Sequence, residues 1–165
     1  AALTRRAIGI VRQIDRGGPV ILVQIDIKPG DGSSSTNLTS QGKIAIAILT
    51  TADFDAATVD AASARFAGAA AVQFALEDVN GDGALDLVLH FRTQDTNLRE
   101  IYEQLLIDDA NGNGVLDSTS QEVSISVTGN TNDGELIEGT DTLNLFLSGK
   151  SLRELLEELA ASGAI

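Results

Sequence analysis

Short apolar segments, each closed by glycine, proline or an Asp/Asn-rich turn, follow one another along most of the chain. The clearest segment is VILVQIDI at 20–27, where Gln24 and Asp26 oppose an apolar face as in a half-buried strand. The other predicted strands cover 7–14, 43–49, 64–67, 71–76, 84–91, 122–128 and 141–147, with a partial strand at 135–138. Many short strands with frequent turns predict a mainly β protein, an antiparallel, jelly-roll-like β-sandwich.

Two segments have helical spacing instead, so we expect two accessory α-helices. Residues 96–107 repeat leucine and isoleucine at intervals of three and four. Ser151 and Glu154 form a capping box that begins a second helix at 151–160. Between the predicted strands, Asp60 is expected to cap a brief helical turn.

Charge and composition exclude several classes of function. The chain has 165 residues and a net charge of -13, with no cysteine and one histidine. Nucleic acids and anionic membranes are poor partners for such an acidic chain, and no apolar run is long enough for membrane insertion. Thiol chemistry, disulfides and sites built from several imidazoles are excluded.

The strongest motif is DVNGDGALD at 78–86, which matches the first nine positions of an EF-hand-type calcium loop. Its predicted ligands are the side chains of Asp78, Asn80, Asp82 and Asp86 and the carbonyl of Ala84. Leu89 stands where a bidentate glutamate is expected, so Glu77, another acidic residue or water must complete the shell.

A second loop, DANGNGVLD at 109–117, follows the same template and predicts a second Ca²⁺ site. Its predicted ligands are the side chains of Asp109, Asn111, Asn113 and Asp117 and the carbonyl of Val115. Because two asparagines replace aspartates, we expect weaker binding there.

Four segments together resemble a family of bacterial secreted modules found in large exported or surface proteins. These segments are IDIKPG at 25–30, ILTTADFDAATVDAASARFAG at 48–68, EDVNGDGALDLVLHFRTQ at 77–94 and TGNTNDGELIEGTDTL at 128–143. The resemblance implies a secreted β-sandwich-like module in which Asp78, Asn80, Asp82 and Asp86 bind calcium, and it implies no enzymatic activity. The segment at 96–120 departs from the family pattern as an insertion.

The sequence predicts no enzyme. The single histidine, His90, lies in a predicted strand and is interpreted as structural, and no nucleophile-elbow pattern is present. The clustered carboxylates belong to calcium templates, and with 4% aromatic residues an aromatic sugar platform is hard to assemble.

The N-terminal region, 1–18, is interpreted as an apolar strand followed by a linker, ahead of the sandwich at 19–149 and the C-terminal helix at 150–165. The residues that could support self-association are Ile8, Ile10, Val11 and Ile14. This strand either forms a hairpin with 20–27 or is donated to a neighbouring subunit. A donated strand makes a head-to-tail contact that generates filaments.

The loop at 30–42 carries an Asn-Leu-Thr glycosylation sequon at Asn37. Candidates for O-linked sugar are Ser33, Ser34, Ser35 and Thr36; an unmodified loop is the alternative. Together these features predict a secreted, calcium-stabilised structural subunit of an extracellular assembly, with copies of itself or other surface proteins as partners. The alternative is an extracellular adhesive module that binds glycans or a protein receptor.

Overall fold

Two β-sheets pack face to face, with two α-helices beside them, in a computed structural model that describes residues 11–13, 19–30, 34–114 and 116–165. In chain order the strands are β1 (Val11–Gln13), β2 (Pro19–Leu22), β3 (Ile25–Ile27), β4 (Ser35–Asn37), β5 (Lys43–Ile48), β6 (Val59–Phe66), β7 (Ala69–Ala70), β8 (Gln73–Glu77), β9 (Asp86–Arg92), β10 (Gln121–Thr131) and β11 (Leu136–Phe146). The helices are α1 (Leu98–Asn113) and α2 (Gly149–Ala161). The predicted β-sandwich with two accessory helices is confirmed.

The larger sheet has the strand order β1-β2-β11-β10-β6-β7, and the smaller has the order β3-β5-β9-β8. Neighbouring strands are antiparallel except that β2 and β4 both run parallel to β11. These parallel pairings were not predicted. They arise because the chain leaves the larger sheet after β2, forms β3 in the smaller sheet, and returns beside a later part of β11 as β4.

The segment at 20–27, predicted as one strand, is divided between the two sheets. The chain crosses at Val23 and Gln24, where the Val23 N–H donates to the Glu138 carbonyl at 2.9 Å and the Gln24 carbonyl accepts from the Leu49 N–H at 2.9 Å. The alternation of apolar residues continues through the crossing because both halves face the same core. The hydrophobic pattern therefore could not reveal where one strand ended.

Gly139 of β11 makes this crossing sterically possible. A Cβ atom at this position would lie 2.5 Å from Ile25 Cγ2 and 2.9 Å from the Val23 carbonyl oxygen. Backbone atoms of the crossing chain cannot move away without breaking the Val23–Glu138 hydrogen bond. Only a residue without a side chain fits here.

Both helices contribute to the same core as the sheets. α1 buries Leu98, Tyr102 and Leu106, and α2 buries Leu155 and Leu159. The Tyr102 hydroxyl also donates to the Thr119 carbonyl at 2.6 Å, which fixes the connection from α1 to β10. Within the described residues, neither helix has the length and apolar character needed to cross a membrane.

Two predicted caps were wrong. Asp55, not Asp60, caps the short 3₁₀ turn at Ala56–Thr58 by accepting from the Ala57 N–H, while Asp60 lies within β6. Ser151 lies inside α2, which begins two residues earlier at Gly149. In both cases a pattern of polar side chains identified a turn correctly but not its first residue.

We predict that Gly139→Ala lowers the free energy of unfolding by about 1–3 kcal/mol, the usual range for overpacking a well-packed site. Gly112→Ala is the matched control, because a Cβ at Gly112 in α1 meets nothing within 4 Å. Alanine there should leave stability unchanged or raise it by up to about 1 kcal/mol. Urea unfolding of both variants measures the difference, and equal stabilities would contradict the role assigned to Gly139.

Candidate metal centre

The loop at 78–86 is the turn of the β8–β9 hairpin. Register places Glu77 of β8 opposite Asp86 of β9, so the intervening residues must reverse the chain between directly paired positions. Gly83 adopts φ +87°, a left-handed conformation that favours glycine. This tight turn brings the carboxylates of Asp78, Asp82 and Asp86 together, with one oxygen from each within 4.8 Å of the others.

Asp86 is the buried member of the cluster, with none of its surface exposed. One carboxylate oxygen accepts a hydrogen bond from the Thr50 N–H at 2.8 Å, and the other accepts from the Val79 N–H at 3.0 Å. A buried carboxylate without such partners would be costly. These bonds hold it at a fixed place at the base of the loop.

Asp78 and Asp82 lie on the exposed side of the cluster and are oriented by the loop backbone. The two carboxylate oxygens of Asp78 accept from the N–H groups of Gly81 and Gly83, each at 2.9 Å. Asp82 accepts from the Ala84 N–H at 2.9 Å. Within the described part of the chain, no lysine or arginine forms an ion pair with the three carboxylates, so their mutual repulsion is relieved only by these N–H dipoles.

The cluster fits a hard cation that takes oxygen ligands. Three carboxylates gathered on one loop can hold a metal ion. Leu89, at the position of the expected bidentate glutamate, is buried inside β9, and Glu77 is not part of the three-carboxylate group. Asn80, the Ala84 carbonyl and water remain as sources of further oxygens.

Thr50 supports this centre and was not identified from the sequence. Besides its N–H bond to Asp86, its hydroxyl donates to the Leu85 carbonyl at 2.6 Å and accepts from the Ala56 N–H at 2.9 Å. It therefore joins the loop to the 3₁₀ turn that precedes β6. No local signal could identify it, since 36 residues separate it from its carboxylate partner.

The second predicted loop has a different local structure. α1 extends six residues past its predicted end and includes Asp109, Asn111 and Gly112. Side chains two residues apart on a helix point about 200° apart, so they do not converge on one ion. Asp109 instead accepts from the Ser118 N–H and the Gln121 amide, both at 3.2 Å.

Val115 and the side chain of Asn113 lie outside the described residues, whereas Asp117 is described and has an interaction partner. Calcium binding at this loop therefore stays a prediction. It would require the last turn of α1 to unwind.

The predicted glycosylation residues lie in and beside β4. Asn37 accepts hydrogen bonds from the N–H and hydroxyl of Thr39, at 3.0 and 2.8 Å. Thr36 is buried, so an O-linked sugar at this residue does not fit the fold. Ser34 donates to the Ile27 carbonyl, Ser35 is half-buried, and Ser33 lies outside the described residues.

The predicted self-association residues lie almost entirely outside the described part of the chain, since only the backbone of Val11 is included. Val11–Gln13 pairs with β2 of the same chain, which is the hairpin arrangement. Ile8, Ile10 and Ile14 are not described.

The single histidine, His90, lies in β9 opposite Ala45 and Gln73. Within the described residues, its Nδ1 atom is buried without a hydrogen-bond partner.

No protein-family model, curated protein or solved structure matches the chain.

A second carboxylate pair lies where the sheets meet, between Asp26 of β3 and Asp141 of β11. Asp141 accepts from the Ile27 N–H at 3.0 Å, which ties the two strands together. Burial raises the pKa of Asp26, and the nearby charge of Asp141 raises it further. An aspartate whose pKa is higher in the folded than in the unfolded state stabilises the fold while it is protonated. Its ionisation therefore lowers the stability of the fold as pH rises.

We therefore predict that Asp26→Asn raises the thermal midpoint at pH 7. The gain should shrink as pH falls towards 4, because wild-type Asp26 then becomes neutral as well. Thermal unfolding between pH 4 and 7 tests this, with the exposed Asp95→Asn as the control. A gain that does not depend on pH would exclude the electrostatic explanation.

The cluster predicts a mutational signature for metal binding. Asp82→Ala should lower stability in excess Ca²⁺, by up to about 4 kcal/mol at a thousandfold excess over the dissociation constant, and change it little in chelator. Asp86→Ala should lower the stability of the protein in both conditions, by about 1–3 kcal/mol. The reason is that it also leaves the N–H groups of Thr50 and Val79 without an acceptor. Asp95→Ala is the exposed control. If Asp82→Ala lowers stability equally with and without Ca²⁺, the loop does not bind the metal.

Proposed function

We propose that this protein is a secreted structural subunit that binds Ca²⁺ at the Asp78/Asp82/Asp86 cluster and associates with copies of itself into an extracellular assembly. The observation that carries the proposal is the cluster itself. It places three carboxylates within 4.8 Å of one another at the turn of a hairpin. Its role is to stabilise that turn rather than to perform chemistry.

The type of ligand supports Ca²⁺ as the bound ion. The cluster offers carboxylate, amide and carbonyl oxygens on a short loop, and the loop spacing follows the calcium template through its ninth position. Soft metals prefer thiolates, which this chain lacks, and zinc or copper sites commonly use several histidines. Binding in the millimolar range, as in extracellular modules, suits a loop without its twelfth-position glutamate.

The distribution of charge supports self-association. Four of the eleven Lys and Arg residues, but one of the 24 Asp and Glu residues, lie in residues 1–18. That segment has a formal charge of +3, which leaves -16 for the rest of the chain. Copies of such a molecule attract one another when the basic segment of one meets the acidic body of the next.

Negative-stain electron microscopy and sedimentation of the purified protein in Ca²⁺ and in chelator test the proposal. We expect extended assemblies in Ca²⁺ that shorten or disperse in chelator. Dispersed monomers in both conditions would overturn the structural role. The alternative, an adhesive module, would then be tested on glycan arrays with the same sample.

A further inference from the structure

The β-sandwich is left uncovered along one side, beside β8. Phe74 and Leu76 of β8 pair with Leu89 and Leu87 of β9, so they point to the same, inner side of the smaller sheet. Leu87 and Leu89 are buried, but Phe74 is 62% exposed and Leu76 is 44% exposed. These two side chains on the core side of the sheet are therefore not covered by a layer of the described residues.

In the part of the chain that the structure describes, the larger sheet has no strand that could cover them. β7 pairs only with Arg65 and Phe66 at the end of β6. On that side of β6, Val59–Ala64 has no strand partner within the described residues. A strand added here would continue the larger sheet and cover the inner face of β8.

A groove of about 490 Å³ runs between these two elements. Its walls include Val59, Ala61 and Ala62 of β6 and Phe74 and Leu76 of β8. Among the described residues, no lysine or arginine lines it. The exposed Asp60 lines the groove. Two further acidic residues, Glu77 and Asp133, each directly follow a lining residue.

The segment RRAIGI at 5–10 has the chemistry that this groove requires. In an extended chain Ile8 and Ile10 lie on one face, two residues apart, as Phe74 and Leu76 do in β8. Arg5 and Arg6 precede them and match the acidic rim. Six extended residues span about 20 Å, enough to run beside Val59–Ala64, where a bulge in β6 shortens the edge.

Topology indicates that the segment comes from another copy. Residues 1–10 precede β1, which is the outermost strand at one end of the larger sheet, whereas the groove lies beyond β6 at the opposite end. β2, β11 and β10 separate these edges, so about 20 Å of sheet lies between β1 and β6. A donor and an acceptor at opposite ends of one molecule fit head to tail, and this contact repeats without closing.

We infer that residues 5–10 of a second copy lie as an extended strand along β6 at Val59–Ala64 and cover Phe74 and Leu76. The inference rests on the proposed self-assembly and names its acceptor site. The isoleucines fill the groove and the arginines contact its acidic rim. Main-chain pairing adds less, because β6 is bulged at Ala61–Ala64 and the Ala62 N–H already donates to Asp60. β1 stays paired with β2 of its own chain.

The test uses two variants that each lose one half of the contact. Deleting residues 1–10 removes the donor, and Phe74→Asp blocks the acceptor with a charge on an exposed residue, so both variants should fold. Each alone should sediment as a monomer, with the assembled fraction reduced at least tenfold. Mixed together they should form a one-to-one dimer, because one supplies the intact donor and the other the intact groove. Ile165→Asp, an exposed apolar residue outside the groove, is the matched control and should assemble normally.

The outcomes separate this inference from the proposed function. If wild-type protein does not assemble, the proposed function fails; if Phe74→Asp or the deletion assembles like wild type, only the groove contact fails. Cysteine cross-linking provides a measurement that does not require loss of assembly, because the chain has no native cysteine. The double variant Ile8→Cys with Leu76→Cys should form disulfide-linked ladders under oxidation. Intramolecular cross-links alone would place the segment in its own groove and overturn the inference.

Discussion

The buried carboxylate of Asp86 is the interaction on which the organisation of the carboxylate cluster and its loop depends. Among the described residues it is the one charged side chain that is fully buried. Its two hydrogen bonds come from two separate segments, from Val79 within its own loop and from Thr50 beyond the end of β5. Because ionised groups are buried only where such partners are provided, Asp86 fixes the loop, the hairpin and the following chain relative to one another.

The features that depend on local sequence were predictable. The β-sandwich, the positions of most strands and the clustering of Asp78, Asp82 and Asp86 follow from alternation, from turn residues and from a nine-residue template. The template succeeds because alternate residues of a tight loop point inward wherever the loop occurs. At the second loop the template does not anticipate that the preceding helix continues through its first five residues. Helix propagation and loop formation compete there, and the template does not include that competition.

Features set by contacts between distant segments were not predictable. The break in 20–27 depends on Gly139, more than 100 residues away, and the support for Asp86 depends on Thr50. The exposure of Phe74 and Leu76 belongs to the same class, since their alternation is that of any half-buried strand. Whether such a face is covered is decided by the number of strands in the opposite sheet. A single strand's pattern contains no information about that number.

The carboxylate cluster and the groove are connected by two shared elements. β8 forms one wall of the groove and runs directly into the loop that carries Asp78. The opposite wall begins at the 3₁₀ turn of Ala56–Thr58, which Thr50 joins to the loop through its hydroxyl. An ion held by the three carboxylates would therefore restrain both walls, and its loss would release both. Because an acceptor that is already ordered loses less conformational entropy when a strand is added, an ion bound there would strengthen the proposed assembly without touching the donated segment.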